Sequence, residues 1–282
     1  MGKGKLFIVS TPIGNLEDIT LRALKVLNTV HLIAAEDTRR TRLLLNHYQI
    51  ETPLISLHEH NEVKKGKTLI RRMEEGNDIA YVTDAGTPGI SDPGFLLVKE
   101  ALKEGIQVVP IPGPSAVISA LVVSGLPLDA FVVQAFLPTK KGERRQVLSS
   151  LADETRTLVF FEAPHRLLDT LRDIREILGD RPMALARELT KVHEEVIRGS
   201  VGEVVEKIAG RRIRGEITLV VGGARGAKNV PDEEIEEALL NLRKEGGLSA
   251  RDRIERVAKE KGVSRSRVYA IDLKLKKQNP FS

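Results

Sequence analysis

The sequence contains no cysteine and no tryptophan, and aromatic residues make up only 4% of its 282 residues. Without cysteine the chain has no disulfide framework, no thiolate nucleophile, no cysteine-ligated zinc and no iron–sulfur cluster. With so few aromatic side chains, a platform that stacks the bases of a long single strand is not expected. The composition therefore excludes thiol chemistry and argues against stacking-based binding of nucleic acid.

Long apolar runs are also missing. No stretch approaches the roughly 18–20 apolar residues of a membrane span, and the first run is shorter than the roughly 7–15 residues of a signal-peptide core. Hydrophobic residues make up 41% of the chain, which is enough for a sizeable core. The length suggests two domains. We therefore expect a soluble, cytoplasmic, globular protein without a membrane segment.

The signatures of common nucleotide and metal sites do not occur. The sequence has no G-x-G-x-x-G after the first strand, no P-loop and no H-E-x-x-H. His58 and His60 place two imidazoles on one face of a strand, but no third ligand is evident, so no metal is predicted.

The positive charge is concentrated at the C-terminal end. The net charge is only +5, but residues 243–282 contain 12 basic and 5 acidic residues, whereas the rest has 32 basic and 34 acidic ones. Such a basic end favours a polyanionic partner, although a solvated helical surface has the same composition.

Apolar strand-like runs alternate with helical patterns over most of the chain, which is typical of an α/β fold. Strands are predicted at residues 6–10, 30–35, 54–58, 78–83, 108–111, 131–136, 157–161, 183–187 and 217–221. Helices are predicted at residues 20–27, 39–47, 68–75, 95–104, 115–123, 144–152, 165–178 and 202–208. Several strand runs are apolar throughout, so helices are expected on both faces.

Two turn-rich segments, 125–129 and 222–231, divide this pattern. They predict an N-terminal α/β domain (1–125), a second α/β domain (126–228) and a small C-terminal helical module (229–282). In the module, residues 258–269 have the spacing of a helix-turn-helix, with Gly262 in the turn and Ser264 as the cap of a basic second helix. An ordinary three-helix interaction module fits the same pattern.

Three loops rich in glycine and proline follow predicted strands. They are STPIGNL (10–16), TDAGTPGISDPG (83–94) and PIPGPSA (110–116). Ligands of open α/β sheets bind beyond the carboxyl ends of the strands. Glycine lets the backbone approach a ligand closely, and proline fixes the loop shape beforehand. Each loop alone fits a tight turn, but the three together predict one shared ligand crevice.

The motifs STPIGNLED, AAEDTRRT, VTDAGTPGISDPG, PGPSA, FLP, FFEAPHR and ARELTKVHEE occur in this order. With them, residues 6–223 resemble the ribosomal RNA small subunit methyltransferase I family, and the C-terminal module also fits. This family belongs to the tetrapyrrole-methylase-like, class III enzymes that use S-adenosylmethionine (SAM). The resemblance implies a SAM cleft between two α/β domains and a homodimer. It also implies 2′-O-methylation of a cytidine in the decoding region of 16S rRNA, on the small ribosomal subunit.

The resemblance further implies which residues hold SAM. They are Pro12 in the first loop, Asp84, Ala85, Gly86, Thr87 and Ile90 in the second, Ser115 and Ala116 after the third, and Glu162 and Leu189 from the second domain. Thr87 stands where tetrapyrrole methylases carry aspartate, which is expected to move the acidic contact to Asp84.

A ribose 2′-hydroxyl is a poor nucleophile, so a basic group is expected beside it. Candidates near the crevice are Glu36, Asp37, Lys191 and His193, among which we favour Asp37 and Lys191 as catalytic residues. Each of the four equally fits a structural ion pair or hydrogen bond.

Basic side chains that contact RNA are predicted both in the two α/β domains and in the C-terminal module. Folded RNA is read largely by shape, through its backbone. The predicted contacts are Arg39, Arg40, Arg144, Arg265 and Arg267, each of which also suits a solvated basic face. Two other hypotheses remain: a class III methylase that acts on a small molecule such as a tetrapyrrole, and a DNA-binding regulator that senses a small ligand.

Overall fold

The first half of the chain forms a five-stranded parallel sheet, in a computed structural model that describes residues 2–89, 93–224, 230–246, 248–261, 263 and 265–278. Its strands are β1 (Leu6–Val9), β2 (Leu32–Ala35), β3 (Leu54–Ser56), β4 (Ile79–Val82) and β5 (Val108–Ile111), in the order β3-β2-β4-β1-β5. A short 3-10 helix spans Leu16–Asp18, and the helices are α1 (Leu21–Thr29), α2 (Thr38–His47), α3 (Glu62–Glu74), α4 (Phe95–Lys103) and α5 (Ala116–Ser124). Strands β2 and β4 are buried at every position, as expected for apolar runs covered on both faces.

The second half forms a five-stranded mixed sheet. Its strands are β6 (Phe131–Phe136), β7 (Thr157–Glu162), β8 (Pro182–Arg187), β9 (Glu195–Ser200) and β10 (Ile217–Val221), in the order β6-β7-β10-β8-β9, with helices α6 (Lys141–Ser150), α7 (Leu167–Leu178) and α8 (Val201–Ile208). Strand β10 runs antiparallel to both β7 and β8. Its amino end therefore lies beside the carboxyl ends of those two strands.

One buried apolar cluster joins the two sheets. Ile13, Val117 and Leu121 from the first half pack with Val159 and Leu189 from the second. Helix α5 ends at Gly125, whose φ of 76° is in the left-handed region, and the next strand already belongs to the other sheet. The α/β prediction is confirmed, and the predicted boundary after residue 125 falls between the two sheets.

The C-terminal module has a core of its own. Helices α9 (Asp232–Glu245), α10 (Ala250–Lys261) and α11 (Arg265–Gln278) bury an apolar cluster that includes Ile235, Leu239, Val257, Val268 and Ile271. The predicted turn residues Gly262 and Ser264 lie outside the described residues.

Arg265 and Arg267, the two residues of the module that are predicted to contact RNA, form ion pairs with other residues of the module. Arg267 donates hydrogen bonds to the Asp232 carboxylate at 2.6 Å and to the Val230 carbonyl at 2.8 Å. Arg265 forms an ion pair with Glu255, and its side chain is still 62% exposed. These contacts hold the helices together, so part of the predicted basic surface is neutralised from inside the module.

Two elements differ from the sequence-based prediction. Strand β9 was not predicted, because EVIRGS is mostly polar, as suits an edge strand that pairs only with β8. Helix α3 begins at Glu62 rather than at residue 68. Its first turns were not predicted because Lys64, Lys65 and Gly66 interrupt the helical spacing of apolar residues. Glu62 is buried because its carboxylate accepts hydrogen bonds from the Gly94 and Leu97 N–H groups, which begin α4.

Within these described ranges, no helix combines the length and apolar character needed to cross a bilayer. Nor do the described residues contain a group of three or more histidine, aspartate or glutamate side chains arranged to hold a metal ion. The rings of His58 and His60 lie 6.0 Å apart, and His58 Nε2 contacts the Asn61 amide.

The prediction that Arg144 contacts RNA is corrected by its position. Arg144 is only 5% exposed, and Nε and Nη2 donate to the buried Asp173 carboxylate at 2.8 and 2.6 Å. A buried guanidinium that already has a carboxylate partner does not reach a phosphate in solvent. Arg144 therefore stabilises the packing of α6 on α7.

We expect Arg144→Ala to lower the free energy of unfolding by about 3 kcal/mol, because the buried Asp173 carboxylate loses one of its two arginine partners. Urea titration followed by circular dichroism measures the change. The matched control is Arg172→Ala, which breaks an exposed ion pair with Asp169 on α7 and is expected to cost less than about 1 kcal/mol. Equal losses in the two variants would show that burial of the pair is irrelevant.

Candidate functional site

A cleft of about 370 Å³ opens between the two sheets, within the roughly 300–1,000 Å³ typical of small-molecule sites. Its walls come from both halves: Ile13, Ala85, Gly86, Thr87, Ser115, Ala116 and Val117 from the first, and Phe136, Phe161, Glu162, Ala163, Pro164, Gly215, Glu216, Ile217 and Thr218 from the second. The cleft thus lies at the carboxyl ends of β1, β4, β5 and β7.

Hydrogen bonds join the three glycine- and proline-rich loops to one another. Thr11 and Gly86 exchange two backbone hydrogen bonds, of 2.9 and 3.0 Å, in an antiparallel bridge. The Ser10 and Thr87 hydroxyls are 2.9 Å apart, and Thr87 Oγ1 also donates to the Pro114 carbonyl at 3.4 Å. The predicted convergence is therefore present, because residues of all three loops meet at Thr87.

Gly86 has a backbone conformation that suits glycine. Its φ is +78°, and a Cβ built there lies 3.5 Å from Ile13 Cγ2, at the wall of the cleft. A side chain at this position is strained by the backbone and also projects toward the ligand space.

The structure places the predicted cofactor residues in two groups. Ala85, Gly86, Thr87, Ser115, Ala116 and Glu162 line the cleft. Among the described residues, Pro12, Asp84 and Leu189 do not line it: Pro12 lies between the bridged Thr11 and the wall residue Ile13, and Leu189 packs in the cluster that joins the sheets. Ile90 lies outside the described residues.

The carboxylate of Glu162 is fully occupied by neighbours. It accepts hydrogen bonds from Arg166 at 2.6 and 2.9 Å and from the Thr170 hydroxyl at 2.5 Å, and the side chain is inaccessible to solvent. Glu162 thereby fixes the start of the FFEAPHR turn, and its neighbours Ala163 and Pro164 continue the wall of the cleft.

The segment from Gly215 to Thr218 was missed by the sequence analysis. The ligand-site pattern predicts residues after the carboxyl ends of strands, whereas Gly215 and Glu216 directly precede β10 and Ile217 and Thr218 begin it. Because β10 is antiparallel to β7, Ile217 is paired with Glu162, and the amino end of β10 faces the cleft. No local motif marked this segment, because strand direction is a property of the sheet.

An acidic and basic network lies beside the cleft, at the carboxyl ends of β2 and β4. The Asp37 N–H donates to Asp84 Oδ1 at 3.0 Å, and Arg40 pairs with Asp84 at 3.3 Å. The Asp84 N–H lies 3.4 Å from Glu36 Oε2. Burial raises the pKa of Glu36, and the nearby Asp84 carboxylate raises it further.

Asp37, predicted as catalytic, is held by its own helix. Its carboxylate caps α2 by accepting from the Arg39 N–H at 2.8 Å, and the Arg39 guanidinium donates to both oxygens at 2.7 and 3.1 Å. These hydrogen bonds lower the pKa of Asp37 well below its usual range. The same contacts neutralise the predicted RNA contact Arg39, as Asp84 does for Arg40.

Lys191, the other predicted catalytic residue, is a bridging cation. Its Nζ donates to Glu188 at 2.9 Å and to the cleft residue Glu216 at 3.1 Å. Partial burial disfavours the ammonium ion, but these two hydrogen bonds outweigh burial and raise the pKa of Lys191. Lys191 is therefore a donor that orients Glu216, and its protonated state does not suit it to accept a proton. The catalytic roles of Asp37 and Lys191 remain predictions.

The loop that carries Lys191 contacts the first loop closely. The Asn15 N–H donates to Thr190 Oγ1 at 3.0 Å, and a Cβ added to Gly14 would lie 2.4 Å from Lys191 Cγ and 2.9 Å from the Leu189 carbonyl oxygen. A glycine at position 14 thus lets the two halves approach each other at the rim of the cleft.

Solved structures share this fold. A uroporphyrin-III-C-methyltransferase from Thermus thermophilus superimposes with a TM-score of 0.55 at 24% identity, over 78% of this chain and 94% of that one. The cobalt precorrin-4 methyltransferase CbiF gives a TM-score of 0.57 at 18% identity, over 77% and 94%. A uroporphyrin-III C-methyl transferase from Thermus thermophilus complexed with S-adenosyl homocysteine gives a TM-score of 0.56 at 18% identity, over 78% of this chain and 97% of that one.

Sequence relatives are much closer. The family model for tetrapyrrole (corrin/porphyrin) methylases matches residues 5–205. The ribosomal RNA small subunit methyltransferase I of Halalkalibacterium halodurans is 47% identical over 95% of this chain and 94% of its own length. The protein of the same name from Thermotoga maritima is 54% identical over 78% of this chain and 99% of its own length. The chain therefore belongs to the ribosomal RNA small subunit methyltransferase I family, within the tetrapyrrole methylases.

Proposed function

We propose that this chain transfers a methyl group from SAM to the ribose 2′-hydroxyl of a cytidine in the decoding region of 16S rRNA, on the small ribosomal subunit. The observation that carries the proposal is the cleft at which the three loops converge, in a chain 47% identical to a protein named for methyl transfer to small-subunit rRNA.

The cleft fits SAM in both shape and chemistry. SAM has a sulfonium cation, an amino acid end and an adenine, so it needs apolar walls, backbone hydrogen-bonding groups and negative charge. Ile13, Val117, Phe136 and Phe161 supply apolar wall, and Glu216 supplies an accessible carboxylate. We propose that Ala85, Gly86, Thr87, Ser115 and Ala116 form the SAM site directly. Glu162, whose carboxylate is occupied by Arg166 and Thr170, supports the site from behind its wall, as do Pro12, Asp84 and Leu189.

When bound, SAM supplies a methyl group on a positively charged sulfur, which is transferred by in-line displacement. The chain itself contributes positioning and removal of water, since the loops are tied together before a ligand arrives. The 2′-hydroxyl must also lose its proton. We propose Glu36 as the acceptor, because its raised pKa suits proton transfer better than the lowered pKa of Asp37.

We also propose that the protein acts in the cytoplasm as a homodimer. The edge strand β6 exposes Phe131 and Val133, which alternate with more buried residues and so share one face of the strand. A second copy of the chain that covers this face would protect both the apolar side chains and the open strand edge. Light scattering is expected to give twice the mass of one chain.

The C-terminal module is proposed to increase affinity for RNA without forming the active site. Every described residue of the cleft precedes it, and the methylase family model ends at residue 205. The match to the Thermotoga relative covers 99% of that protein but only 78% of this chain. About a fifth of this chain therefore has no counterpart in that relative.

A variant truncated after Gly226 is expected to stay folded and to keep its affinity for SAM, because the module has a separate apolar core. It is expected to bind small subunits more weakly and with a shallower dependence on salt, because phosphate contacts release counterions. Filter binding across a salt series measures both quantities. Affinities and slopes equal to those of the full chain would mean that the module is structural.

Incubation with labelled SAM tests the reaction class. We expect label in small subunits or 16S rRNA, and none in uroporphyrinogen III or duplex DNA. Transfer to the tetrapyrrole instead would favour the small-molecule methylase. SAM binding without transfer to any acceptor would favour a ligand-sensing regulator.

A further inference from the structure

A second groove lies next to the SAM cleft, on the same edge of the first sheet. It has a volume of about 530 Å³ and is lined by Thr38, Arg39 and Arg42 of α2 and by Leu54, Ile55 and Ser56 of β3. In the sheet order β3-β2-β4, the groove lies along β3 and the start of α2, which follows β2, and the cleft begins at the loop after β4. A polymer lying in the groove would reach the cleft by passing the carboxyl end of β2.

Two cations at this groove have no carboxylate partner among the described residues. Arg42 is half-buried in the groove wall, and no described side chain forms an ion pair with it. Lys65 of α3 reaches the same wall, where Nζ donates to the Ser56 carbonyl at 3.0 Å and to Ser56 Oγ at 2.6 Å. No acidic residue is among the described residues that line the groove.

The neighbouring arginines differ in this respect. Arg39 is paired with Asp37 at 2.7 Å, and Arg40 is paired with Asp84 at 3.3 Å. The charges of Arg39 and Arg40 are thus each balanced by a carboxylate, whereas Arg42 and Lys65 leave two positive charges at the groove. A partly desolvated guanidinium is satisfied best by a planar or tetrahedral anion that accepts two of its hydrogen bonds.

We propose that this groove binds the phosphate backbone of the rRNA segment that enters the active site, with Arg42 and Lys65 as the phosphate contacts. Thr38 and Ser56 add hydroxyl groups to the same wall, which suits sugar–phosphate oxygens. The proposal rests on the proposed function, because it names where the RNA of that reaction is held.

The test compares Arg42→Gln/Lys65→Gln with the wild-type protein in filter binding to purified small ribosomal subunits over a series of salt concentrations. We expect affinity to fall by about tenfold or more. The slope of log affinity against log salt is expected to decrease by about 1.4, for two lost contacts to single-stranded RNA. Arg42→Lys is expected to retain most of the slope, because it keeps the charge.

The matched control is Arg72→Gln, which removes a charge from an exposed position near the opposite end of α3. It is expected to bind as the wild type does. SAM affinity is expected to be unchanged in all variants, because the substituted side chains do not line the cleft.

The outcomes separate this inference from the function on which it rests. If wild-type protein binds and methylates small subunits but the double variant has the same affinity and salt slope, the groove is not an RNA site. If the double variant is impaired on intact subunits but not on naked 16S rRNA, the groove binds a ribosomal protein instead. If the wild type does not bind subunits, the proposed function itself fails.

Discussion

Gly86→Val is expected to abolish SAM binding while the protein stays folded. The backbone of Gly86 has a φ of +78° and forms the two-hydrogen-bond bridge to Thr11, so a β-branched residue strains the loop by roughly 1–3 kcal/mol. The added side chain also narrows the cleft next to Ile13. Isothermal titration calorimetry is expected to show at least a hundredfold loss, or about 2.7 kcal/mol or more.

Gly105→Val is the matched control for this variant. Gly105 also has a positive φ, of +66°, but nothing lies within 4 Å of an added Cβ, and the residue follows α4 at the opposite edge of the sheet. A similar loss of stability with normal SAM affinity is expected. If folded Gly86→Val binds SAM with wild-type affinity, the cleft beside Gly86 is not the SAM site.

Glu36→Gln is expected to lower turnover by roughly 10²–10⁴-fold, the usual contribution of a general base, with little change in SAM affinity. A base must be deprotonated, so wild-type turnover falls as the pH falls through the pKa of Glu36. Because burial raises that pKa above the ordinary 4.5, the fall begins at a higher pH than for an exposed glutamate. Single-turnover rates at saturating SAM across pH measure the effect.

Asp37→Asn provides the comparison on the neighbouring carboxylate. Its pKa is already low and its oxygens are bound by Arg39, so we expect a less stable α2 and only a modest loss of turnover. The residual activity of Glu36→Gln is expected to lose the acidic limb of its pH profile. If Asp37→Asn loses the greater share of activity and Glu36→Gln keeps the profile, the base is Asp37, as the sequence pattern predicted.

Most of the fold could be predicted from local patterns. The nine predicted strands are all present, because apolar runs between glycine- or proline-containing turns leave little choice of structure. Strand β9 could not be predicted, because its pairing with β8 comes from the assembled sheet and its own sequence is polar. The start of α3 was missed for a related reason: Glu62 is stabilised by the first turn of α4, which is distant in sequence.

The loops of the site could be predicted from the sequence, but the roles of its charged residues could not, because these depend on the side chains that contact them. Glycine and proline marked the three loops that converge at Thr87. The charged residues could not be sorted by type alone, because their roles depend on neighbours: Arg144 is buried against Asp173, and Arg39 is bound by Asp37. Arg42 has no such partner in the described part of the chain, and only the structure distinguishes it from the paired arginines.

Methyl transfer to a ribose 2′-oxygen of small-subunit rRNA is the reaction that we propose for this protein. The most direct measurement is to incubate the protein with isotopically labelled SAM and small subunits, digest the 16S rRNA to nucleosides, and analyse them by mass spectrometry. We expect one labelled product, 2′-O-methylcytidine, whose label stays with the ribose fragment. Label on the base of any nucleoside, or none in rRNA while SAM is bound, would contradict the proposed reaction.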